Sequence, residues 1–228
     1  MYQEHQGLAL SPQQKRIFQL SESKNSNSIE YVQSTIKLSG TLSQSRLKSA
    51  FEQVVLNNEI LRTAFRTPAG LRYPYQYVLN EGGGLVWHYQ DLSQRHDSRL
   101  ELFKLQKEQA ATKFELAEGQ VISVVLAKIL ENEHQLIITL SALVSDQYSL
   151  NQIAVLLSQA YNQLTENMHQ INDNQSDEIT QYTQFSEWLS ELQDDEDASQ
   201  YRAYWQGLDL NGVPSLSLPY RLDKSVVD

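Results

Sequence analysis

Cysteine is absent from the 228 residues. That excludes a disulfide framework, a thiolate nucleophile and a zinc ribbon, and it fits a reducing compartment such as the cytoplasm. Positive charge is in short supply: 18 Lys and Arg stand against 28 Asp and Glu, a formal net charge of −10. Like-signed fields repel, so nucleic acid and anionic membrane surfaces are not expected partners. No apolar run approaches membrane-spanning length, and the opening MYQEHQGLALSPQQKR has neither the basic start nor the apolar run of a secretory signal. A soluble, cytoplasmic protein is expected. The five histidines, His5, His88, His96, His134 and His169, show no HxxxH or HExxH spacing, so no metal site is expected. There is no G-x-S-x-G elbow, and Gly82-Gly83-Gly84 lacks the lysine and helix cap of a phosphate-binding loop. No internal repeat is found.

What is present is an ordinary globular composition, 40% hydrophobic and 20% charged with 12 Tyr, long enough for a sizeable core. Ser11-Pro12-Gln13-Gln14 reads as a helix start, with Ser as N-cap and Pro at the first helical position, leading to about Leu20. The Ser/Asn run Ser21 to Ser28 is a loop. Tyr31 to Leu38 alternates as a half-buried strand ending at Gly40. Ser43 caps a helix whose Leu47, Ala50, Phe51, Val54 and Val55 form one core-facing stripe. Ile60 to Arg66 and Arg72 to Leu79 read as strands around the turn Pro68-Ala69-Gly70, and Leu85 to Tyr89 as a short strand. Ser98 to about Phe114 reads as an amphipathic helix carrying Leu102, Leu105 and Ala110. Val121 to Leu130 and Gln135 to Leu140 are apolar strands joined by Glu131-Asn132-Glu133. A helix from about Ser149 presents Ile153, Leu156, Leu157, Ala160 and Tyr161 on one face.

Strands and helices mixed around a single sheet predict an α/β (α+β) sandwich. A polar stretch, Asn172 to Ser176, precedes one or two acidic helices between Asp177 and Gly207, and the Pro-containing tail from Val213 reads as extended. His88, behind Trp87, reads as a partly exposed strand histidine. Asp146 stands where a strand gives way to a small-residue loop and then a helix. Such a side chain either complements the helix start or points into a cleft at the sheet's end. Trp188 and Trp205 read as packing anchors or as substrate contacts, and Asp194-Asp195-Glu196-Asp197 as a solvated helix boundary.

Several segments together resemble the condensation domains of nonribosomal peptide synthetases. Leu10-Ser11-Pro12-Gln13-Gln14-Lys15-Arg16 is similar to their opening Ser-x-x-Gln motif. Asn58-Glu59-Ile60-Leu61-Arg62-Thr63-Ala64-Phe65 resembles the second motif, Arg-His-Glu-x-Leu-Arg-Thr-x-Phe, with Asn57 and Asn58 in place of its Arg and His. Phe114 to Gly119 resembles the segment before the central strands, and Glu133-His134 the turn between them. Ser145-Asp146-Gln147-Tyr148-Ser149-Leu150 resembles the end of the third motif, His-His-x-x-x-Asp-Gly. Tyr182, Phe185 and Trp188 are similar to a Tyr-x-x-Phe-x-x-Trp helix, and Tyr204-Trp205 to the pair that follows it.

The resemblance implies a chloramphenicol-acetyltransferase-like lobe, a mixed or antiparallel sheet flanked by helices, covering about the first half of the family's two-lobed domain. It divides the chain into a lobe at 1–175, acidic helices packing on it at 176–210, and a linker at 211–228 toward an absent C-terminal lobe. Ser141 takes the place of the third motif's first His, Ala142 of the second, catalytic His, Asp146 of the Asp and Gln147 of the Gly. Asp146 is implied to form a structural ion pair with Arg62. Tyr148 and Trp188 are candidates for tunnel lining or packing. The implied partners are other synthetase modules and carrier domains, whose phosphopantetheine arms bring the acyl donor and amine acceptor; no cofactor is expected on this chain itself. The implied function is either the N-terminal half of an amide-forming acyltransferase or an inactive scaffold that binds carriers or recruits a partner. A lobe alone exposes the face meant for its mate, so self-association is expected.

Overall fold

The computed structural model describes residues 7–23, 31–80, 84–165, 180–194, 196–209 and 211–214. In chain order its elements are β1 (Leu8–Ala9), α1 (Pro12–Ser23), β2 (Tyr31–Ser39), α2 (Gln44–Asn57), β3 (Thr63–Arg66), β4 (Tyr75–Val78), β5 (Leu85–Asp91), α3 (Ser98–Ala110), β6 (Ile122–Leu130), β7 (Glu133–Ser141), α4 (Gln147–Thr165), α5 (Tyr182–Asp194) and α6 (Glu196–Gly207). The Ser/Asn run from 24 onward, the stretch Asn172 to Ser176, residues 81–83 and the tail beyond 214 lie outside the described residues.

The hairpin β6–β7 is the centre of the fold. Its register, Ile122↔Leu140, Val124↔Ile138 and Leu126↔Leu136, places like with like on one face. β2 pairs antiparallel along β7 from Tyr31↔Ser141 to Ser39↔Glu133, and β5 runs parallel to β6 on the other side. The resulting order is β2-β7-β6-β5. Alternation does the rest: even-numbered residues of β6 and β7 meet Leu47, Ala50, Phe51, Val54 and Val55 of α2 and Leu150, Ile153, Leu157 and Ala160 of α4 in one core. Each large side chain fully buried there contributes roughly 1.5–3 kcal/mol. Phe51 meets Trp87 edge to face, centroids 6.1 Å apart.

The opposite face, where α3 crosses it, combines buried Val125 and Ile137 with polar groups that bond the helix. Gln33 Nε2 donates to Thr139 Oγ1 (2.9 Å) and to the Gln106 carbonyl (3.2 Å). Gln106 Nε2 donates to Thr35 Oγ1 (3.0 Å), and Ser123 Oγ to Gln109 Oε1 (2.6 Å). No residue of α3 is fully buried, but Leu102, Leu105 and Ala110 are half-buried beside Gln106 and Gln109, so the helix docks through its expected stripe and through these glutamines together.

Among the described residues the strands form two sheets, not one. After α2 a 3₁₀ turn, Glu59–Arg62, replaces the first half of the expected strand, and only Thr63–Arg66 is extended. Thr63 Oγ1 donates to the Glu59 carbonyl (2.7 Å), closing that turn. The turn carries β3 away from the large sheet to pair with β4, which in turn pairs with β1. The expected turn at Pro68-Ala69-Gly70 forms, with Leu71 N–H donating to the Pro68 carbonyl (3.1 Å) and Gly70 at φ 82°, a left-handed angle that glycine adopts without strain. Glycine is needed again at Gly119 (φ 74°), which ends a second 3₁₀ turn, Leu116–Glu118; a Cβ there would stand 2.6 Å from Leu79 Cδ1.

Two compact units are distinguished, residues 1–190 and 191–228. In the first unit the start of α5 is held by small polar groups. Buried Thr183 and Ser186 bond Glu59 Oε2 (2.9 Å) and the Ala9 carbonyl (3.0 Å), and Tyr182 Oη meets Ser11 Oγ (2.8 Å). Trp188 is 52% exposed and touches Phe185, so it is not the core anchor its size suggests. In the second unit Trp205 is 67% exposed, stacked edge-on with Tyr204.

His134 opens β7 in a buried position, its Nδ1 without a hydrogen-bond partner among the described residues. Burial first, then the Lys128 charge, holds its pKa below 6.5, against the opposing charges of Glu131 and Asp91. A depressed histidine pKa means the unfolded chain binds the proton more readily. Its contribution to stability is therefore complete above pH 6.5 and is lost as pH falls through 6.5 toward the folded-state value. Thermal melts between about pH 8 and about pH 5 should show this decline, flattened in a His134→Gln variant.

Candidate functional site

The loop from Ser141 to Asp146 links β7 to α4 and is built by its own backbone. Ser141 is fully buried. Its N–H donates to the Val121 carbonyl (3.0 Å), tying the end of β7 to the chain entering β6. Its carbonyl accepts from Val144 N–H (3.1 Å) and Ser145 Oγ (2.9 Å), and its Oγ accepts from Leu143 N–H (3.2 Å). The serine thus folds the loop locally, as short hydroxyl side chains do in turns. Ala142, half-buried, is the residue this turn presents, and it contributes only a methyl.

A second clamp comes from far away in sequence. Gln14 is buried at the third position of α1, where its Oε1 accepts from Ser11 N–H (2.9 Å) while Ser11 Oγ accepts from Gln14 N–H (3.2 Å). This is a reciprocal capping box. The remaining end of the amide, Nε2, donates to the Leu143 carbonyl (3.2 Å) and to Gln76 Oε1 (3.0 Å). Gln76, also buried, donates to the Ala9 carbonyl (2.9 Å) and Ser186 Oγ (3.2 Å). One polar network therefore joins α1, β4, α5 and the loop beside Ala142. The Ser-x-x-Gln spacing marks Gln14 in the sequence as a capping residue; nothing in the spacing marks Gln76.

Asp146 and Arg62 do not form the expected ion pair. Asp146 is exposed and is the N-cap of α4. Its Oδ1 accepts from the N–H and the Oγ–H of Ser149 (2.8 Å each), and Ser149 Oγ accepts in return from Asp146 N–H (3.2 Å). These Ser149 bonds hold the carboxyl below its ordinary 3.8. Arg62 is spent on carbonyls: Nε donates to Leu56 (3.1 Å), Nη1 donates to Leu79, and Nη2 lies 3.8 Å from Glu59 Oε1. A carboxylate satisfied three residues onward needs no distant cation.

Asp146→Ala should lower stability by about 1 kcal/mol, the usual loss of a helix cap, whereas Asp146→Asn should change it little. Combined with Arg62→Ala the losses should add within about 0.5 kcal/mol. Denaturant titrations of the four proteins measure this, and a larger coupling would restore the ion pair.

Gln147 is the exposed first residue of α4. Tyr148, 70% exposed, borders a cleft of about 250 Å³ between the 3₁₀ turn at Glu59–Arg62 and the start of α4, lined also by Asn58, Ile60, Val144, Ser145 and Gln152. Asn58, which stands where the second motif has His, donates from Nδ2 to the Val54 carbonyl (2.7 Å) and closes α2. Trp188 is not among the cleft's lining residues. No cluster of His, Asp or Glu suited to a metal occurs among the described residues, and among them no helix is long and apolar enough to cross a membrane.

The profile described as condensation domain covers residues 4–228. Bacitracin synthase 2 of Bacillus licheniformis is 24% identical over 217 residues, 92% of this chain and 7% of the synthase. Malpibaldin synthetase of Mortierella alpina is 27% identical over 154 residues, 68% of this chain and 3% of that protein. Among solved structures, the starter condensation domain of rhizomide synthetase superposes with a TM-score of 0.75 at 17% identity, over 88% of this chain and 47% of that one. The condensation domain of the monacolin K polyketide synthase gives 0.72 at 19% identity, over 96% and 46%. The chain thus spans under half the length of these solved chains and under a tenth of these synthetases. With the mixed sheet, the flanking helices and a profile match across nearly its whole length, this chain belongs to the condensation domain family.

Proposed function

We propose that the chain is the N-terminal lobe of a condensation-type domain of a peptide synthetase, in the lineage of acyl transfer between carrier-tethered substrates, with its catalytic histidine position filled by Ala142. The lobe is taken as residues 1–175, followed by acidic helices at 176–210 and a linker at 211–228 toward a C-terminal lobe. Its partners are carrier domains whose phosphopantetheine arms bring donor and acceptor, in a cytoplasmic assembly; the lobe by itself associates with further copies through its uncovered face. The observation that carries this reading is the loop Ser141 to Asp146, which is held by Ser141, Gln14 and Ser149 while offering no proton acceptor at position 142.

A methyl cannot take a proton from an amine or orient it, yet holding two reactants together contributes by itself. A second reading, a scaffold that binds carriers without chemistry, is favoured by the same fact: every bond that shapes the loop survives without an imidazole. Incubating the longest natural form of the protein with loaded donor and acceptor carriers, and following the condensed product by intact-protein mass spectrometry, separates the two. Product above the carriers-alone control supports the enzyme. Carrier binding without product supports the scaffold, and neither binding nor product removes both.

A further inference from the structure

The loop at position 142 is gripped at its middle by Gln14, and Gln14 is itself held in one orientation. Its Nε2 spends one hydrogen on the Leu143 carbonyl (3.2 Å) and the other on Gln76 Oε1 (3.0 Å). Gln76 Nε2 spends its two on the Ala9 carbonyl (2.9 Å) and Ser186 Oγ (3.2 Å). The Ser186 hydroxyl proton goes to the same Ala9 carbonyl (3.0 Å), which leaves its lone pairs for Gln76. A primary amide carries two donor hydrogens and a hydroxyl one, so all five are used. Donation runs one way, from Gln14 to Gln76 to Ser186 to Ala9.

That direction locks both amides. Turning Gln14 over would set its oxygen against the Leu143 and Gln76 oxygens, and its NH2 against Ser11 N–H, which donates to Gln14 Oε1 (2.9 Å). Turning Gln76 over would set its oxygen against the Ala9 carbonyl and its NH2 against that of Gln14. Gln14, Gln76 and Ser186 are each no more than 1% exposed.

The far end of this chain of bonds is firm. Gln76 stands on β4, the middle strand of the small sheet, with Leu8 paired on one side and Phe65 on the other. Ser186 stands on α5, next to the turn that Thr183 fixes to Glu59 Oε2 (2.9 Å). The loop itself grows from β7 of the large sheet. Its middle is therefore referred to elements with which it shares no backbone. An apolar contact would bury similar surface and still allow sliding, whereas directional bonds, all satisfied, specify one arrangement.

We propose that Gln76 and Ser186 are positioning residues: through Gln14 and the Leu143 carbonyl they set where the loop presents the side chain of residue 142. This rests on the reading of position 142 as the centre of acyl transfer, and it adds two residues remote from that loop in sequence.

The chain has no cysteine, so Ala142→Cys supplies a unique thiol for a trifluoromethyl label, read by fluorine NMR on the full chain. The folded-state resonance reports where the loop holds the label and not how stable the fold is. Gln76→Met keeps the bulk and deletes the bonds, and Ser186→Ala removes only the far hydroxyl. Thr183→Val is the control, equally buried on the same helix but bonded to Glu59 instead of the amides. The resonance should move in the first two variants and stay in the third. In the longest natural form carrying Ala142→His, Gln76→Met and Ser186→Ala should lower kcat for condensed product by about tenfold to a hundredfold, the loss that a slight misplacement causes. KM for the loaded carriers should not change, and Thr183→Val should alter neither constant.

An unmoved resonance in Ser186→Ala and Gln76→Met overturns the proposal, as does an equal movement in all three variants. Should Gln76→Met fail to fold, Ser186→Ala decides. A moved resonance with kcat unchanged overturns it as well. Product from no form removes the acyl-transfer reading, and with it the catalytic meaning of the positioning, whichever way the resonance falls.

Discussion

Ala142→His raises the rate of product formation between loaded carriers by about a hundredfold to ten-thousandfold over the natural alanine form, the range a positioned general acid–base group supplies. The expectation rests on how the loop is held. Ser141 accepts from Leu143 N–H, and Gln14 grips the Leu143 carbonyl, so the backbone on both sides of position 142 is fixed by groups other than the side chain there. Substitution therefore adds an imidazole without deleting a bond, and the half-buried position leaves one side of it open. The variant should also acquire a pH dependence that the alanine form lacks, with the rate falling as pH drops through the ordinary histidine range near about 6.5. Intact-protein mass spectrometry across that range, on the longest natural form, measures both effects. An unchanged rate with carriers still bound would mean that position 142 is not the reacting centre.

Gln14→Ala should lower the stability of the fold by about 3–4 kcal/mol. The Leu143 carbonyl, Gln76 Oε1 and Ser11 N–H would each lose a bonded partner in a buried setting, and a buried group left unsatisfied costs about 1–3 kcal/mol. The cavity left by the side chain adds to this. For a chain of this size the change corresponds to a fall in Tm of about 10 °C. Gln76→Leu should also destabilise. The double variant Gln14→Leu with Gln76→Leu should lose less than the sum of its parts, since each single change orphans the other amide. Chemical denaturation of the set shows this, and strict additivity would mean the two glutamines do not act as one network.

The legible parts of this fold are those where local signals and burial agree. Ser11 and Ser43 cap their helices as the sequence suggests, the second with Oγ accepting from Arg46 N–H. The stripe Leu47 to Val55 is buried as its spacing implies, and the pair β6–β7 is close to its expected bounds. Other features were hidden. The 3₁₀ turn at Glu59–Arg62 is made of residues that suit a strand equally well, and the bonds from Thr63 to Glu59 and from Leu61 to Asn58 decide between them. The separation of β1, β3 and β4 into their own sheet depends on pairings across the chain, which no local period records. At the candidate site, Asp146 is a helix cap, one of the two roles open to it from its place at a strand–helix junction; its pairing with Arg62, carried over from the family resemblance, is absent. The network from Gln14 through Gln76 to Ser186 was out of reach because amides carry no periodic signature.

The sheet order also sets a folding sequence. β6 and β7 meet across a short turn, with Leu130 opposite Glu133, whereas Gln33 of β2 bonds Thr139 at a separation of 106 residues. Closing a loop of that length costs entropy before any contact repays it, so the hairpin is expected to form early and β2 to join the sheet after it. Destabilising changes in the hairpin, such as Ile138→Val, therefore slow folding, while those in β2 speed unfolding. A nascent chain has β2 long before β7, and until Ser141 emerges from the ribosome that strand has no partner to receive it.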